Sequence, residues 1–521
     1  MSELTGGKPV NVARFHPRDL AGRIAKAPYG LRWVAPVLMG ALMAWAHEPN
    51  VGTWPILVGF VLACLSLPMT RRAAAIHGWL LGVGYFAVTL RWIVEPFLVD
   101  VARHGWMAPF AIFLMAGGLA LFWGFAGWAA RFVSGARPAG VLIFPVFLTA
   151  MELTRGHVFT GFPWGLWSYA LVGSVWDIWL AWVGPYGLNG LIAVVAGGTA
   201  YCLTRGWTLV WPALVGVLFA TIGVQALSAV TMPVGSNTVR VIQPNAPQHQ
   251  KWDPEWMPVF YNRALDQTEA GEAPDVVVWP ETSVPNILNH AEPLLDQMSR
   301  AARGAPVVAG VQREDRGDYY NSLIVLDGPN EVSQIYDKSH LVPFGEYIPL
   351  ADWLSPLGLG VLVDQVAGFR SGEQPGVLEI EGLGRARVLI CYEGIFPEEV
   401  QTDEPRADIL LIITNDAWFG TGAGPRQHLV QARARAIEQG LPVIRSANTG
   451  ISAVIDARGK IMASLPLNEA GYLDALVPLP LPPTLYSRIG DWPLVLLLIV
   501  VGGSALVARF RFAVDASGMP E

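Results

Sequence analysis

The sequence predicts an α/β domain inserted into a bundle of transmembrane helices, and three observations lead there. The chain has 521 residues, 52% of them hydrophobic and only 15% charged, where a typical soluble chain has roughly 25% charged residues. Apolar runs fill its first part and return near its end, and many of the 21 Trp flank them, as an interfacial aromatic belt does. Between these runs lies a region of ordinary charge density with a repeated strand–loop–helix rhythm, the pattern of an α/β domain. The formal net charge of −7 is modest and argues against a nucleic-acid partner.

Residues 1–28 are polar and basic, with Arg14, Arg18, Arg23 and Lys26, and read as a cytoplasmic segment without a removable signal peptide. The bundle is assigned to 29–230. Its apolar runs lie at about 29–46, 54–70, 76–98, 106–130, 138–153, 183–203 and 207–230, each near the roughly 20 residues that a helix needs to cross the hydrocarbon. An eighth run, at about 491–510, falls in the C-terminal segment 489–521. The stretch 158–182 is apolar but broken by Gly and Pro, so it reads as an interfacial or re-entrant loop.

Basic residues in short loops set the orientation. Arg71, Arg72, Arg131, Arg137, Arg205, Arg509 and Arg511 share one side of an eight-helix arrangement with the basic N-terminus, whereas the 47–50 and 99–105 loops are poor in Lys and Arg. Both termini are therefore expected in the cytoplasm and 231–488 outside it. Glu95, Glu152 and Arg155 then fall near the outer face. With Arg91 they are expected to pair structurally or to touch headgroups rather than to catalyse.

Within 231–488, strand candidates are 238–243, 275–279, 306–312, 319–327, 332–337, 386–391, 408–414, 441–447 and 450–456, and helix candidates are 253–270, 291–303 and 424–439. The last two strands flank Asn448-Thr449-Gly450 and read as a hairpin, so a mixed sheet is expected. A region of about 250 residues can bury a full core.

Three strand ends carry chemistry. Arg387-Val-Leu-Ile-Cys391-Tyr-Glu-Gly394 is an apolar strand running into a cysteine, with Gly394 as the turn that ends it. A helix starting near Pro397 would favour a thiolate at Cys391; a small buried residue at a strand end is the competing reading. Val276-Val-Val-Trp-Pro-Glu281 ends in a carboxylate and Ile335-Tyr-Asp-Lys338 in an ammonium. Active sites of α/β sheets gather where strands end. Glu281 could act as base to the thiol, and Lys338 could face the oxyanion of a tetrahedral intermediate. A lone charge at a strand end is usually just solvated; the conjunction of three argues for a site. Cys64 and Cys202 lie inside apolar runs, so Cys391 has no evident disulfide partner, and no zinc-like spacing exists.

Trp279-Pro280-Glu281, Asp337-Lys338, Cys391-Tyr392-Glu393 and Asn415-Asp416-Ala417-Trp418-Phe419 together resemble the nitrilase superfamily over about 236–475. The resemblance implies an αββα sandwich with a Glu281, Lys338, Cys391 triad. With membrane runs on both sides, and with Gln243-Pro244-Asn245, Lys251-Trp252 and the 338–349 segment, the chain resembles the membrane-embedded branch of that superfamily, the apolipoprotein N-acyltransferases. This implies a nitrilase-like sandwich inserted in an eight-helix bundle of the cell inner membrane, with the catalytic domain in the periplasm. It also implies ping-pong chemistry without cofactor or metal. Cys391 would take the sn-1 acyl chain of a phospholipid as a thioester and pass it to the amine of a diacylated apolipoprotein. Glu281 would serve as base, and Lys338 with the Tyr392 backbone N–H would hold the oxyanion. Glu346 would orient Lys338 or the amine, or merely cap the loop at Gly345. Glu393 would hold Lys338 or face solvent. Trp252 would line the site, and Asn415 and Trp418 would support it. The membrane flanks favour a monomer.

The apolar stretch Trp353–Val363 sits in what should be an exposed arm. Exposed apolar patches mark membrane or partner surfaces, so this arm and the 416–424 loop are expected to dip into the outer leaflet. Two other classes compete: a membrane-tethered nitrilase-type amidase using water as acceptor, and a transporter whose external domain only binds ligand. Neither accounts for an apolar arm together with three reactive residue types at strand ends.

Overall fold

The computed structural model describes residues 29–137, 139–205, 215–216, 232–349, 368–373, 376–401 and 405–517. The seventh apolar run lies almost wholly outside these residues, and the arm at 353–363 entirely so. The other apolar runs contain helices: α1 (Tyr29–Trp45), α2 (Trp54–Leu65), α3 (Arg71–Thr89), α4 (Ala108–Ser134), α5 (Gly140–His157) and α6 (Leu180–Arg205), with a last helix at Trp492–Ser517. Among the described residues, 3 helical segments are long and apolar enough to cross a membrane, or 4 if the bent pair Arg71–Thr89 and Arg91–Leu98 forms one span. The α1 and α2 helices are apolar but short.

Glycines set how closely the bundle helices approach. A Cβ on Gly78 would come within 2.2 Å of the Trp123 carbonyl, and one on Gly84 within 2.0 Å of the Val37 carbonyl. The 158–182 stretch holds short 3-10 turns, at Trp167–Leu171 and Asp177–Trp179, before α6 begins at Leu180. It is largely buried: Trp164, Leu166 and Trp167 are at most 1% exposed. The expected loop is thus a packed plug between bundle and domain. The pairings expected of the membrane charges are present. Arg155 meets Glu152 at 2.7 Å, both buried, and Arg91 meets Glu48 at 2.6 Å.

The domain has two six-stranded sheets. In the first, β1 (Val234–Gln243), β2 (Val276–Val278) and β3 (Val307–Asp315) run parallel. The hairpin strands β4 (Asp318–Gly328) and β5 (Glu331–Asp337) extend it antiparallel. In the second, β6 (Val377–Ile380) pairs antiparallel with β7 (Gly384–Ile390), and β7, β8 (Ile409–Thr414) and β9 (Val443–Ala447) are parallel. Beyond them lie the antiparallel β10 (Ala453–Ile455) and β11 (Ile461–Ser464), while β12 (Gly471–Pro478) returns to pair with β1. The sheets are mixed, as expected, and β9–β10 is the expected hairpin. Three strands escaped the sequence reading: β6, β11 and β12 are short or alternate apolar with exposed residues, so they lack a continuous apolar run.

The inner faces bury Val239, Val276, Val308 and Leu323 against Val388, Ile390, Leu411 and Ile413. Helices at Met257–Glu269 and Glu292–Ala301 cover the first sheet, and Ala423–Gln439 covers the second. The four layers form the αββα sandwich. The Ala423–Gln439 helix also faces the bundle, where Ala434 and Ile437 join Trp167, Tyr169 and Leu171 in one apolar core. That shared core joins the domain to the bundle helices.

Candidate active site

Glu281 stands three residues past β2, where the chain must lie against β3. A Cβ on Gly310 would come within 2.6 Å of the Glu281 Cα and 2.5 Å of the Thr282 nitrogen. Only a residue without a side chain fits there. Thr282 takes φ +43°, which turns the chain sharply just after the carboxylate. Glu281 Oε1 accepts from Asn321 Nδ2 at 2.7 Å, and Oε2 from the Asn415 backbone N–H at 2.8 Å. The carboxylate therefore has a fixed orientation although it is buried.

Lys338 follows β5. Its backbone N–H donates to the Asn321 carbonyl at 2.8 Å, and its side chain is 1% exposed. Nζ lies 2.9 Å from Glu346 Oε1 and 3.7 Å from Glu281 Oε1. Burial disfavours the ammonium, but Glu346, Glu281 and Cys391 outweigh it and hold Lys338 firmly protonated. Asn321 Nδ2 also reaches Glu346 Oε1 at 3.1 Å, so one amide bridges both carboxylates.

Cys391 ends β7 and begins a 3-10 turn, Cys391–Ile395. The expected turn glycine is not what bends the chain: Cys391 itself takes φ +53°, a strained state for a side-chain-bearing residue. The charges of Glu281 and Lys338 both act on its sulfur. The expected thiolate-favouring helix is a single turn, Pro397–Val400. Burial, aided by the Glu281 charge, pushes the Cys391 thiol up, and Lys338 and Thr414 only partly offset this. The net effect favours the thiol over the thiolate.

Tyr392 supplies one of the first N–H groups of the turn, which lack intrahelical acceptors. Its ring is buried, and its hydroxyl donates to the Gly161 carbonyl at 3.4 Å. Glu393 departs from both expectations, neither facing solvent nor bonding Lys338. It is 1% exposed. Oε2 accepts from Ile390 N at 2.7 Å, and Oε1 from Ser339 N at 2.7 Å and Tyr336 OH at 2.8 Å. It staples the Cys391–Ile395 turn to the loop after Lys338. Burial pushes its carboxyl up, against the Ile390 hydrogen bond and the Lys338 charge.

Glu346 orients Lys338 and also accepts from Val342 N at 2.8 Å. Asn415 bonds Gln248 at 2.9 Å and Asn448 at 2.8 Å through its side chain. Trp252 and Trp418 are half-exposed, at 42% and 41%. Trp252 lines a pocket together with Lys251 and Glu281. Trp418 lies in the turn Asp416–Phe419, whose Phe419 packs on Trp92 and Trp164 of the membrane part. The 416–424 loop is therefore seated on the bundle.

Sequence reasoning gave no role to Asn321, Lys251 or a buried network behind Cys391. There Asp416 takes Thr414 Oγ1 and His428 Nδ1 at 2.9 Å each and Arg445 Nη2 at 2.6 Å. Burial disfavours the Asp416 carboxylate, but Arg445 and His428 more than reverse this and lower its pKa. Burial and Arg445 push His428 down. Polar residues inside apolar strands, such as Asn321 and Arg445, were the available signal. Among the described residues, no group of three or more His, Cys, Asp or Glu could hold a metal ion.

Residues 238–481 match the carbon-nitrogen hydrolase family, and residues 39–198 match the apolipoprotein N-acyltransferase N-terminal domain. Apolipoprotein N-acyltransferase of Caulobacter vibrioides is 38% identical over 94% of this chain and 97% of its own. The enzyme of the same name from Brucella melitensis is 34% identical over 95% and 99%, and that from Rhodopseudomonas palustris 35% over 90% and 94%. Sandwich, buried polar site and apolar helices define a membrane protein of the carbon-nitrogen hydrolase class. Within that class, the chain belongs to the apolipoprotein N-acyltransferase family.

Proposed function

We propose that the chain N-acylates lipoproteins through a Cys391 thioester, with a membrane phospholipid as donor and the amine of a diacylglyceryl-cysteine as acceptor. The observation that carries this reading is where the nucleophile turn sits. Tyr392, Ile395 and Phe396 share one apolar core with Trp164 and Trp167 of the membrane part. A hydrolase of small soluble amides has no use for a nucleophile anchored on a bilayer-embedded bundle.

Glu281 removes the thiol proton as sulfur attacks the ester carbonyl. Lys338 and the Tyr392 N–H stabilise the oxyanion, and its collapse breaks the C–O bond as Glu281 returns the proton to the departing lysophospholipid oxygen. The amine then attacks the thioester, Glu281 takes a proton from the attacking nitrogen, and the C–S bond breaks as Glu281 passes that proton to the departing sulfur.

In this reading the bundle has eight spans and the domain is periplasmic. Arg131 bonds the Leu67 and Pro68 carbonyls, so the arginine-rich turns after α2 and α4 share one end. The domain docks at the other, where Gln427 Nε2 donates to the Thr89 carbonyl at 3.1 Å. The enzyme acts as a monomer.

The test is to incubate the enzyme with vesicles of one defined phospholipid and measure intact mass. An acyl adduct that disappears in Cys391→Ala supports the reading. A wild-type enzyme that stays unmodified, while lysophospholipid nevertheless accumulates, overturns it.

A further inference from the structure

Lys251 ends the short helix Gln248–Lys251 and is 6% exposed. Nζ donates to the Glu281 carbonyl at 3.2 Å and to Thr282 Oγ1 at 3.0 Å. In the neutral form of the amine, the minority form below about pH 8, these acceptors use both N–H bonds and leave the lone pair unassigned. Lys251 and Glu281 line the same pocket, walled by Trp252, Phe260 and Tyr261. Both residues border the space that a ligand nitrogen would enter.

The transfer step needs two proton acceptors. An N-terminal ammonium carries three N–H bonds and the amide product one, so two protons leave. The departing sulfur recovers one of them by way of Glu281. Glu281 holds a single proton at a time, and the other requires a second base.

We propose that Lys251 is that base: its neutral amine takes a proton from the ammonium of the lipoprotein N-terminus bound beside Glu281. The freed amine attacks the thioester carbon, so a C–N bond forms and the C–S bond breaks with its electron pair going to sulfur. Glu281 carries the second proton from nitrogen to Cys391, and Lys251 later returns its own proton to solvent. This inference rests on the thioester reading above.

The electrostatics suit the task. Burial lowers Lys251, Glu281 and Cys391 partly oppose this, and the amine comes to rest at about 8. An α-amine ordinarily lies at about 7.7–8.0, so a proton passes between the two with little free-energy change. Tyr261 is the further titratable side chain lining this pocket.

The experiment separates the half-reactions in full-length enzyme on phosphatidylethanolamine vesicles, chased with a synthetic diacylglyceryl-cysteine peptide. Lys251→Met and Lys251→Arg are expected to form the Cys391 adduct within about threefold of the wild-type rate. Both should transfer it at least roughly tenfold more slowly at pH 7. Transfer should recover near pH 9, where the peptide amine is neutral unaided. Arginine retains charge and donors but accepts no proton, so wild-type transfer by Lys251→Arg would overturn the proposal in favour of a positioning role. Equal slowing of both half-reactions would overturn it in favour of a structural one. A wild-type enzyme that forms no adduct removes the thioester reading and this inference with it.

Discussion

Glu346 Oε1 lies 2.9 Å from Lys338 Nζ, closer than the 3.7 Å that separates Lys338 from Glu281. The ammonium is thus held mainly by a residue eight positions along its own loop.

Glu346→Gln should consequently lower kcat by about 10²-fold, the magnitude typical for loss of one oxyanion donor. It should also change the pH profile. The Glu346 charge opposes the effect of burial on Lys338, so without it the ammonium deprotonates at lower pH. Activity of the variant should fall as pH rises through the alkaline range, where the wild type stays level. Parallel profiles would refute the assignment.

Glu281 has opposite effects on the sulfur. Its charge helps to hold the Cys391 thiol protonated, yet it is the proposed base. Glu281→Gln should therefore alkylate with iodoacetamide faster than wild type at pH 8, by about tenfold per unit of thiol pKa, while acyl transfer is lost. Cys391→Ala measures the background from Cys64 and Cys202. Slower alkylation of Glu281→Gln would contradict this electrostatic account.

Gly310 is required because β3 passes against the Glu281 backbone. Gly310→Ala places a Cβ within 2.5–2.7 Å of main-chain atoms of 280–282, and either strand must shift. Overpacking of this kind costs about 1–3 kcal/mol. Activity should fall further than stability does, because the displaced atoms carry the base. A thermal unfolding midpoint near wild type with full turnover would count against the prediction.

His428 gives the domain a pH-dependent stability. Its folded pKa is depressed, so the unfolded chain binds the proton more readily. Stability is complete above the ordinary histidine value of about 6.5 and declines as pH falls below it toward the folded value. His428→Gln should flatten the slope of the unfolding midpoint between about pH 6.5 and pH 5. An unchanged slope would assign it to other groups.

The fold class was legible because apolar runs and strand–helix alternation are local properties. Hydrophobic burial along β2, β7 and β8 is continuous, so those strands announce themselves. The edge strands β6, β11 and β12 bury part of one face and were lost. Cys391, Glu281 and Lys338 were singled out since each closes an apolar strand. Asn321, Lys251 and the Asp416–His428–Arg445 network were not, because their partners are 25 to 40 residues away or sit on other elements.

Composition and strand-end chemistry were enough to identify a membrane-flanked α/β domain with a cysteine, a carboxylate and an ammonium. Which of them touch, and in what protonation state, was decided by the tertiary structure. Burial raises the cost of every unpaired charge, so the folded site assigns each charge a particular partner. Glu393 illustrates this: in sequence it is an acidic residue beside the nucleophile, and in the fold it holds two loops together through hydrogen bonds to main-chain N–H groups of both.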